Sequence, residues 1–181
     1  MRQKRQKRLL FICYAGLIAA LYTVLTCIVG AFGLANGAIQ LRLSEALCVL
    51  PLFTPAAIPG LTIGCLLSNI LMSGIWQDVV FGTLATFIGA VGAYALRKLP
   101  TLVPLPTVIA NTVIIPLVLA YGYGAEEGLG FLMLTVGIGE VLSAYVAGLL
   151  LLFAIKPYQS KLFAQVSSQT LCATEKKSKL L

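Results

Sequence analysis

Eight strongly polar side chains stand inside stretches that are otherwise nearly as apolar as lipid: Gln40, Arg42, Glu45, Asn69, Gln77, Asp78, Asn111 and Glu140. Arg42 and Glu45 lie three residues apart in GAIQLRLSEALCVLPLF, residues 37–53. On a helix that spacing makes an i,i+3 ion pair. Ser44 and Glu45 also suit a helix start, where a side-chain oxygen and a negative charge are favourable. The other reading is a ligand site. Asp78 admits the same two readings. Glu140 is harder to make structural, because it sits between TVGIG and VLSAYVAG with no basic residue within one turn. A lone carboxylate in an apolar helix is costly and reads as functional. Asn111 either joins helices or meets a ligand.

Composition says what must hold these groups. The chain has 181 residues, 59% hydrophobic and 10% charged, with mean hydropathy +0.97. A soluble domain carries about 25% charged residues. The expected fold is an all-α, multi-pass membrane protein. The apolar runs are continuous rather than alternating, which excludes a β-barrel. The net charge of +7 does not imply nucleic acid, because the basic residues cluster at the termini and at Arg97–Lys98. There they orient a membrane protein. The five cysteines show no paired spacing, and histidine is absent. MRQKRQKR resembles a signal-peptide n-region, but the apolar run from Leu9 to about Leu34 is too long for an h-region and is read as the first span.

Four spans follow directly: Leu9–Leu34, Asp78–Leu96, about Pro106–Tyr123 and Phe131–Ile155. The stretch from Ile39 to Ser73 is one span or two, broken at FTPAAIPG. Pro55 and Pro59 favour the break. Charge decides the count. Six spans place the N-terminal basic cluster, Arg97, Lys98 and the C-terminal lysines on one side, read as cytoplasmic, with Glu126–Glu127 opposite. Residues 1–8 form a basic cytoplasmic N-terminus, 9–156 the six-helix domain, and 157–181 a polar, lysine-rich cytoplasmic tail. Ala46–Phe53 covers only about 12 Å at helical rise. The second span must therefore start before Glu45, which carries Arg42 and Glu45 into or near the outer leaflet. A charge at a span's centre costs roughly 2.5–3.5 kcal/mol on insertion scales, so both should face the bundle interior or a cavity. Most of the polar groups gather toward the outer side, as in a ligand pocket entered from outside.

Small residues recur at four-residue spacing in Ala15-x-x-x-Ala19, Gly16-x-x-x-Ala20, Gly60-x-x-x-Gly64 and Ala144-x-x-x-Gly148. They suit close backbone approach, within the bundle or to a partner membrane protein. No G-x-x-x-x-G-K-[ST], G-x-S-x-G or H-E-x-x-H is present, so ATP binding by a P-loop and serine or zinc hydrolysis are unsupported. Nothing suggests a cofactor, a metal or an enzyme. The halves show no inverted repeat, which weakens a self-sufficient transporter.

The block AIQLRLSEALCVLPLFTPAAIPGLTIGCLLSNIL, followed by WQDVVFGTLAT, resembles the signature of the QueT family of queuosine-precursor transporters. The resemblance runs from about Ala15 to Pro157, and its core is Gln40 to Thr86. It implies an S component of an energy-coupling factor (ECF) transporter in the bacterial plasma membrane, importing a 7-deazaguanine, queuosine or its base. It implies as partners a transmembrane coupling subunit of the EcfT kind and two cytoplasmic ATPases of the EcfA kind, with no nucleic acid. It places Ala15, Gly16, Ala19 and Ala20 against the coupling subunit. A guanine-like edge presents paired donors that one carboxylate can accept together. Gln40, Arg42, Glu45, Asn69, Asp78, Asn111 and Glu140 are then the polar candidates, and Trp76 and Tyr145 the aromatic walls. The surplus of carboxylates favours a cationic ligand. An S component for another vitamin or nucleobase is the alternative, and a self-contained channel or scaffold a further one.

Overall fold

The computed structural model describes residues 2–32, 42–72 and 75–162. Gln40 and residues 163–181 lie outside the described residues. Among the described residues all regular structure is helical. Helix α1 spans Arg2–Ala31, and a 3-10 helix spans Leu43–Leu52. Then come α2 (Ala57–Met72), α3 (Trp76–Ala95) and α4 (Leu105–Tyr121). A last long helix runs as α5 (Leu129–Glu140), a π-helical segment (Val141–Val146) and α6 (Ala147–Ile155). Single-turn helices at Pro100–Leu102, Lys156–Tyr158 and Gln159–Leu162 (the last is α7) complete the chain's path.

Among the described residues six helical segments are longer than a single turn, as the charge distribution led us to expect. They are not equal. Among the described residues four apolar stretches are long enough to cross a membrane: Arg5–Ala31, Trp76–Ala95, Pro100–Tyr121 and Leu129–Tyr158. Leu43–Leu52 and Ala57–Met72 are shorter. The break between them falls at Phe53–Ala56, where the chain turns at Thr54-Pro55. Pro51 lies inside the 3-10 helix and can donate no backbone hydrogen bond. The tighter helix stretches the short segment. Ten residues cover about 20 Å at the 3-10 rise of roughly 2.0 Å, against about 15 Å as α-helix.

This 3-10 helix is the centre of the bundle. Residues Ser44 through Pro51 are all buried. It contacts α1, α2, α3, the π segment and α6. Its two sides feed two apolar clusters. Leu47 and Leu50 pack with Ile18, Tyr22, Ala57, Leu61 and Cys65. Cys48 and Val49 pack with Ala93, Val103, Val108, Ala144 and Leu152. An element apolar all round must be enclosed all round, and here it is.

Helices α1 and α2 meet backbone to backbone. A Cβ at Gly60 would lie 2.9 Å from the Ala15 carbonyl oxygen, and one at Gly64 would lie 2.7 Å from Tyr22 Cβ and 2.9 Å from the Ala19 carbonyl oxygen. The Thr23 hydroxyl lies 3.2 Å from the Gly64 carbonyl oxygen across the same seam. Ala15 and Ala19 are therefore buried inside the bundle, whereas Gly16 and Ala20 are exposed. This corrects the expectation that all four form one partner face. Two successive residues of a helix point about 100° apart, so the pairs 15/19 and 16/20 take different neighbours. The contrast is testable. Gly64→Ala should lower stability by about 1–3 kcal/mol through overpacking. Gly16→Ala meets no atom within 4 Å and should be neutral or stabilise by up to about 1 kcal/mol. Thermal melting of the purified protein in detergent checks both; equal melting temperatures for the two variants would contradict the seam.

Candidate ligand site

Three long helices carry a polar side chain to the same height. Call the far end of the bundle the one where α1 finishes at Ala31, α4 finishes at Tyr121 and α5 begins at Leu129. Tyr22, Asn111 and Glu140 lie nine, ten and eleven residues from those points. At 1.5 Å per residue each is about 14–17 Å below the far end, near the middle of a core about 30 Å thick. Glu45 joins them from the 3-10 helix. Exposure is 1% for Glu45 and Asn111, 2% for Tyr22 and 3% for Glu140. The Tyr22 hydroxyl donates to Glu45 Oε1. Asn111 stands beside both Glu45 and Glu140, and the two carboxylates lie within electrostatic reach of each other. Glu140 is thus level with Tyr22 and Asn111 along the bundle.

Above this layer lies a second one. Arg42 Nη2 is 4.0 Å from Asp78 Oδ1. The Tyr123 hydroxyl lies 3.5 Å from Asp78 Oδ2, and Asn69 Nδ2 donates to the Asp78 backbone carbonyl at 3.2 Å. The ion pair is therefore Arg42–Asp78, and not the i,i+3 pair of Arg42 with Glu45. The reason is local. Arg42 precedes the helix with φ −111° and ψ 84°, so its side chain leaves the helical register. Its backbone N–H donates to Ser143 Oγ at 3.2 Å, which ties the entrance of the 3-10 helix to the π segment. Ser44 caps nothing; its hydroxyl hydrogen-bonds that of Thr26 at 2.9 Å. Asp78 lies in the first turn of α3, where its charge also suits the helix dipole.

The π segment explains how Glu140 faces inward. The buried positions are Leu132, Val136, Gly139, Glu140, Ser143, Ala144, Gly148 and Leu152, and six of them recur every four residues. In an unbroken α-helix that spacing drifts about 40° per step, or about 200° over the five steps. The wider π turn, placed directly after Glu140, takes up part of the drift. Glu140, Ser143 and Gly148 can then all face the core of one bundle.

Two polar atoms at the centre lack hydrogen-bond partners: Glu140 Oε2 and Asn111 Nδ2. One is an acceptor and the other, as oriented, a donor. Buried polar atoms are nearly always paired in native proteins, and Asn111 stands close enough to both carboxylates that a small movement of its amide would pair the two atoms with each other. Among the described residues no cluster of His, Cys, Asp or Glu could hold a metal ion.

The remaining sequence candidates fall elsewhere. Trp76 is 66% exposed and does not wall the site, a correction that follows from its place at the first residue of α3. Tyr145 is half-buried and packs on the apolar cluster of Cys48, Val49 and Leu152. Asn69 acts mainly between α2 and α3. Gln40 lies outside the described residues. Tyr22, Thr26, Ser143 and Tyr123 went unnoticed in the sequence. Tyr22 carried a usable signal, because a buried tyrosine hydroxyl normally finds a partner. A separate groove of about 540 Å³ lies between α4 and α5, lined by Val108, Thr112, Leu134, Gly137 and Val141 among others, and holds no charged side chain.

A family model described as QueT transporter matches residues 12–157. The queuosine precursor transporter QueT of Lactococcus lactis subsp. cremoris (strain MG1363) is 42% identical over 72 residues, which is 40% of this chain and 42% of that protein. The chain thus aligns with less than half of that relative's length. No solved structure matches.

The Tyr22–Glu45 bond gives the site its own test. Tyr22→Phe keeps the ring but strands a buried carboxylate oxygen. It should lower stability by about 1–3 kcal/mol, read as a fall in melting temperature. An unchanged melting temperature would mean that Glu45 is satisfied without Tyr22.

Proposed function

The chain belongs to the QueT transporter family, and from that premise we propose that it is the substrate-capturing S component of an ECF importer for a 7-deazaguanine queuosine precursor. It is a multi-pass membrane protein by family and by its four long apolar helices. The observation that carries the ligand assignment is the acceptor position left open at mid-bundle, Glu140 Oε2. A guanine-type edge offers N1–H and an exocyclic NH₂ next to a carbonyl oxygen. Glu140 would accept the two donors, and Asn111 Nδ2 would donate to the carbonyl. Glu45, held by Tyr22, would form the back of the site, and Arg42 with Asp78 its upper rim. The 42% identical relative, named for a queuosine precursor, supports the same ligand class.

In this reading the site opens toward the far end, and both termini are cytoplasmic. Uptake then depends on a coupling subunit and two ATPases on separate chains. The exposed small residues Gly16 and Ala20 offer the coupling subunit a close approach on α1, while Ala15 and Ala19 are already used by α2.

Two measurements test this. Mass spectrometry of small molecules retained by the purified protein should find a 7-deazaguanine, and Glu140→Gln should weaken its binding by about 1.5–3 kcal/mol, roughly ten- to hundredfold. Wild-type affinity in Glu140→Gln would remove Glu140 from the site. For topology, single cysteines on a cysteine-free background should react with an impermeant reagent from outside at Glu126 and fail to react at Lys98. The reverse pattern would invert the proposed orientation.

A further inference from the structure

The groove between α4 and α5 takes no part in the polar layers, and its shape and depth are specific. Its floor lies where α5 lacks a side chain. A Cβ at Gly137 would lie 3.3 Å from Thr112 Cγ2 on α4, so the two helices close on each other there. Ile109 and Val113 on α4, with Leu134, Ile138 and Val141 on the facing helix, line the trough, and all five are exposed. Along that facing helix the lining runs from Met133 to Leu142, about 14 Å at helical rise. A volume of about 540 Å³ over that length makes a trough roughly 6 Å across, against about 10–12 Å for a helix with its side chains. A partner helix is too wide to settle in it, whereas an extended hydrocarbon chain is not. Depth fixes the chemistry of the occupant. The helix starts at Leu129, so the lining lies about 6–20 Å below the far end, within a hydrocarbon core about 30 Å thick. An apolar cavity gives water no partners and stays dry.

We propose that this groove binds one tail of a phospholipid from the far-end leaflet, a lipid whose headgroup carries an amine. The inference stands apart from the ligand assigned to Glu140. The headgroup follows from charge. The connection that joins α4 to α5 closes the trough at the far end, and it carries Glu126 and Glu127, both exposed. Tyr121 and Tyr123 lie at the same end and are exposed, and such amphipathic rings suit the headgroup level. No lysine or arginine lies between Lys98 and Lys156. Arg42, the one basic residue between Arg8 and Arg97, is directed at Asp78. An anionic headgroup above the trough would therefore meet two carboxylates and no free cation, and an ammonium group would be matched. The rest of the bundle leaves the groove open. Helices α2 and α3 stand between α1 and α4 in the packing order, so a partner seated on Gly16 and Ala20 would not cover it. A tail in the trough touches both walls and braces α4 against α5 from the lipid side.

The test counts lipids. The full chain is reconstituted in vesicles of equal parts phosphatidylethanolamine and phosphatidylglycerol with identical tails, then extracted in mild detergent and weighed intact by native mass spectrometry. The wild type should retain one phospholipid per chain, with phosphatidylethanolamine enriched several-fold over phosphatidylglycerol. Val113→Phe with Ile138→Phe fills the trough from two exposed positions and should lose that lipid. Leu21→Phe with Ile28→Phe, at exposed positions on α1, should keep it. A wild type that retains no phospholipid would overturn the proposal. So would retention undiminished in the filled variant, which would put the lipid elsewhere. Equal retention of the two lipids, or a preference for phosphatidylglycerol, would overturn the headgroup assignment. A two-chain mass without lipid, lost in the filled variant, would show that a second copy covers the groove instead. Should the filled variant fail to fold, melting of the delipidated wild type decides. Its melting temperature should rise with added phosphatidylethanolamine and not with phosphatidylglycerol, and no rise with either would sink the idea. Every one of these outcomes leaves the transport reading standing.

Discussion

A buried carboxylate at the centre of an apolar bundle constrains everything around it. Glu45 stands on a helix that is enclosed on every side, so water cannot solvate it. Removing a charge from water costs several kcal/mol unless polar partners replace the solvent. The fold brings such partners from separate elements: Tyr22 from α1 by hydrogen bond, Asn111 from α4 and Arg42 through electrostatic proximity. Each needs its helix at one height and one rotation. The positions of α1 and α4, and the entrance of the 3-10 helix, are therefore coupled through a single side chain.

Two departures from α-geometry make this possible. The 3-10 helix trades hydrogen-bond quality for length, so that ten residues reach from the polar layer to the turn at Pro55. The π segment trades regularity for rotation, so that Glu140 and the small residues Ala144 and Gly148 face the same neighbours. Gly148 matters here because a Cβ on it would lie 3.2 Å from Val49 on the 3-10 helix. The two irregular helices touch each other, and Arg42 N–H to Ser143 Oγ is one of their bonds. Regular helices would have been easier to form but would have turned Gly148 about 80° away from Glu140. That both irregularities meet at the polar layer agrees with the tendency of such segments to mark functional sites.

Much of this was legible in the residues. Hydropathy and the distribution of lysine and arginine gave the six helical segments, and Pro55 with Pro59 gave the break between the two short ones. The isolation of Glu140 within TVGIGEVLSAYVAG singled it out as a carboxylate without a local partner, and the structure buries it inside the bundle. Other features were not legible, for physical reasons. Spacing along the chain suggested Arg42 with Glu45, but the side chain of a residue outside the helix is not bound by helical spacing, and Asp78 from α3 took its place. Hydropathy cannot tell a 3-10 from an α-helix, since both bury an apolar segment. A four-residue small pattern announces close approach without saying which of two adjacent stripes is inward. That choice depended on the position of α2, and Ala15 and Ala19 went inside. Trp76 was offered as an aromatic wall for a flat ligand, yet at the first turn of a helix its side chain lies outside, while Asp78 two residues on is buried.

The α1–α2 seam and the polar layer are one mechanical unit. Gly60 and Gly64 let the α1 backbone approach α2 so closely that Tyr22 itself packs over Gly64. The same tyrosine then reaches Glu45 with its hydroxyl. One turn further, Thr26 bonds Ser44. A displacement of α1 along α2 would have to move Tyr22, and the Tyr22–Glu45 bond would stretch before much apolar surface was uncovered. Apolar packing in a membrane has a weak gradient, because lipid is as apolar as the helix it replaces. Directional bonds to a buried charge have a steep one. The register of α1 is therefore set less by its long apolar face than by the hydroxyls of Tyr22, Thr23 and Thr26 in its last third, which is why a helix with so much of its surface turned outward can still hold one position against the bundle.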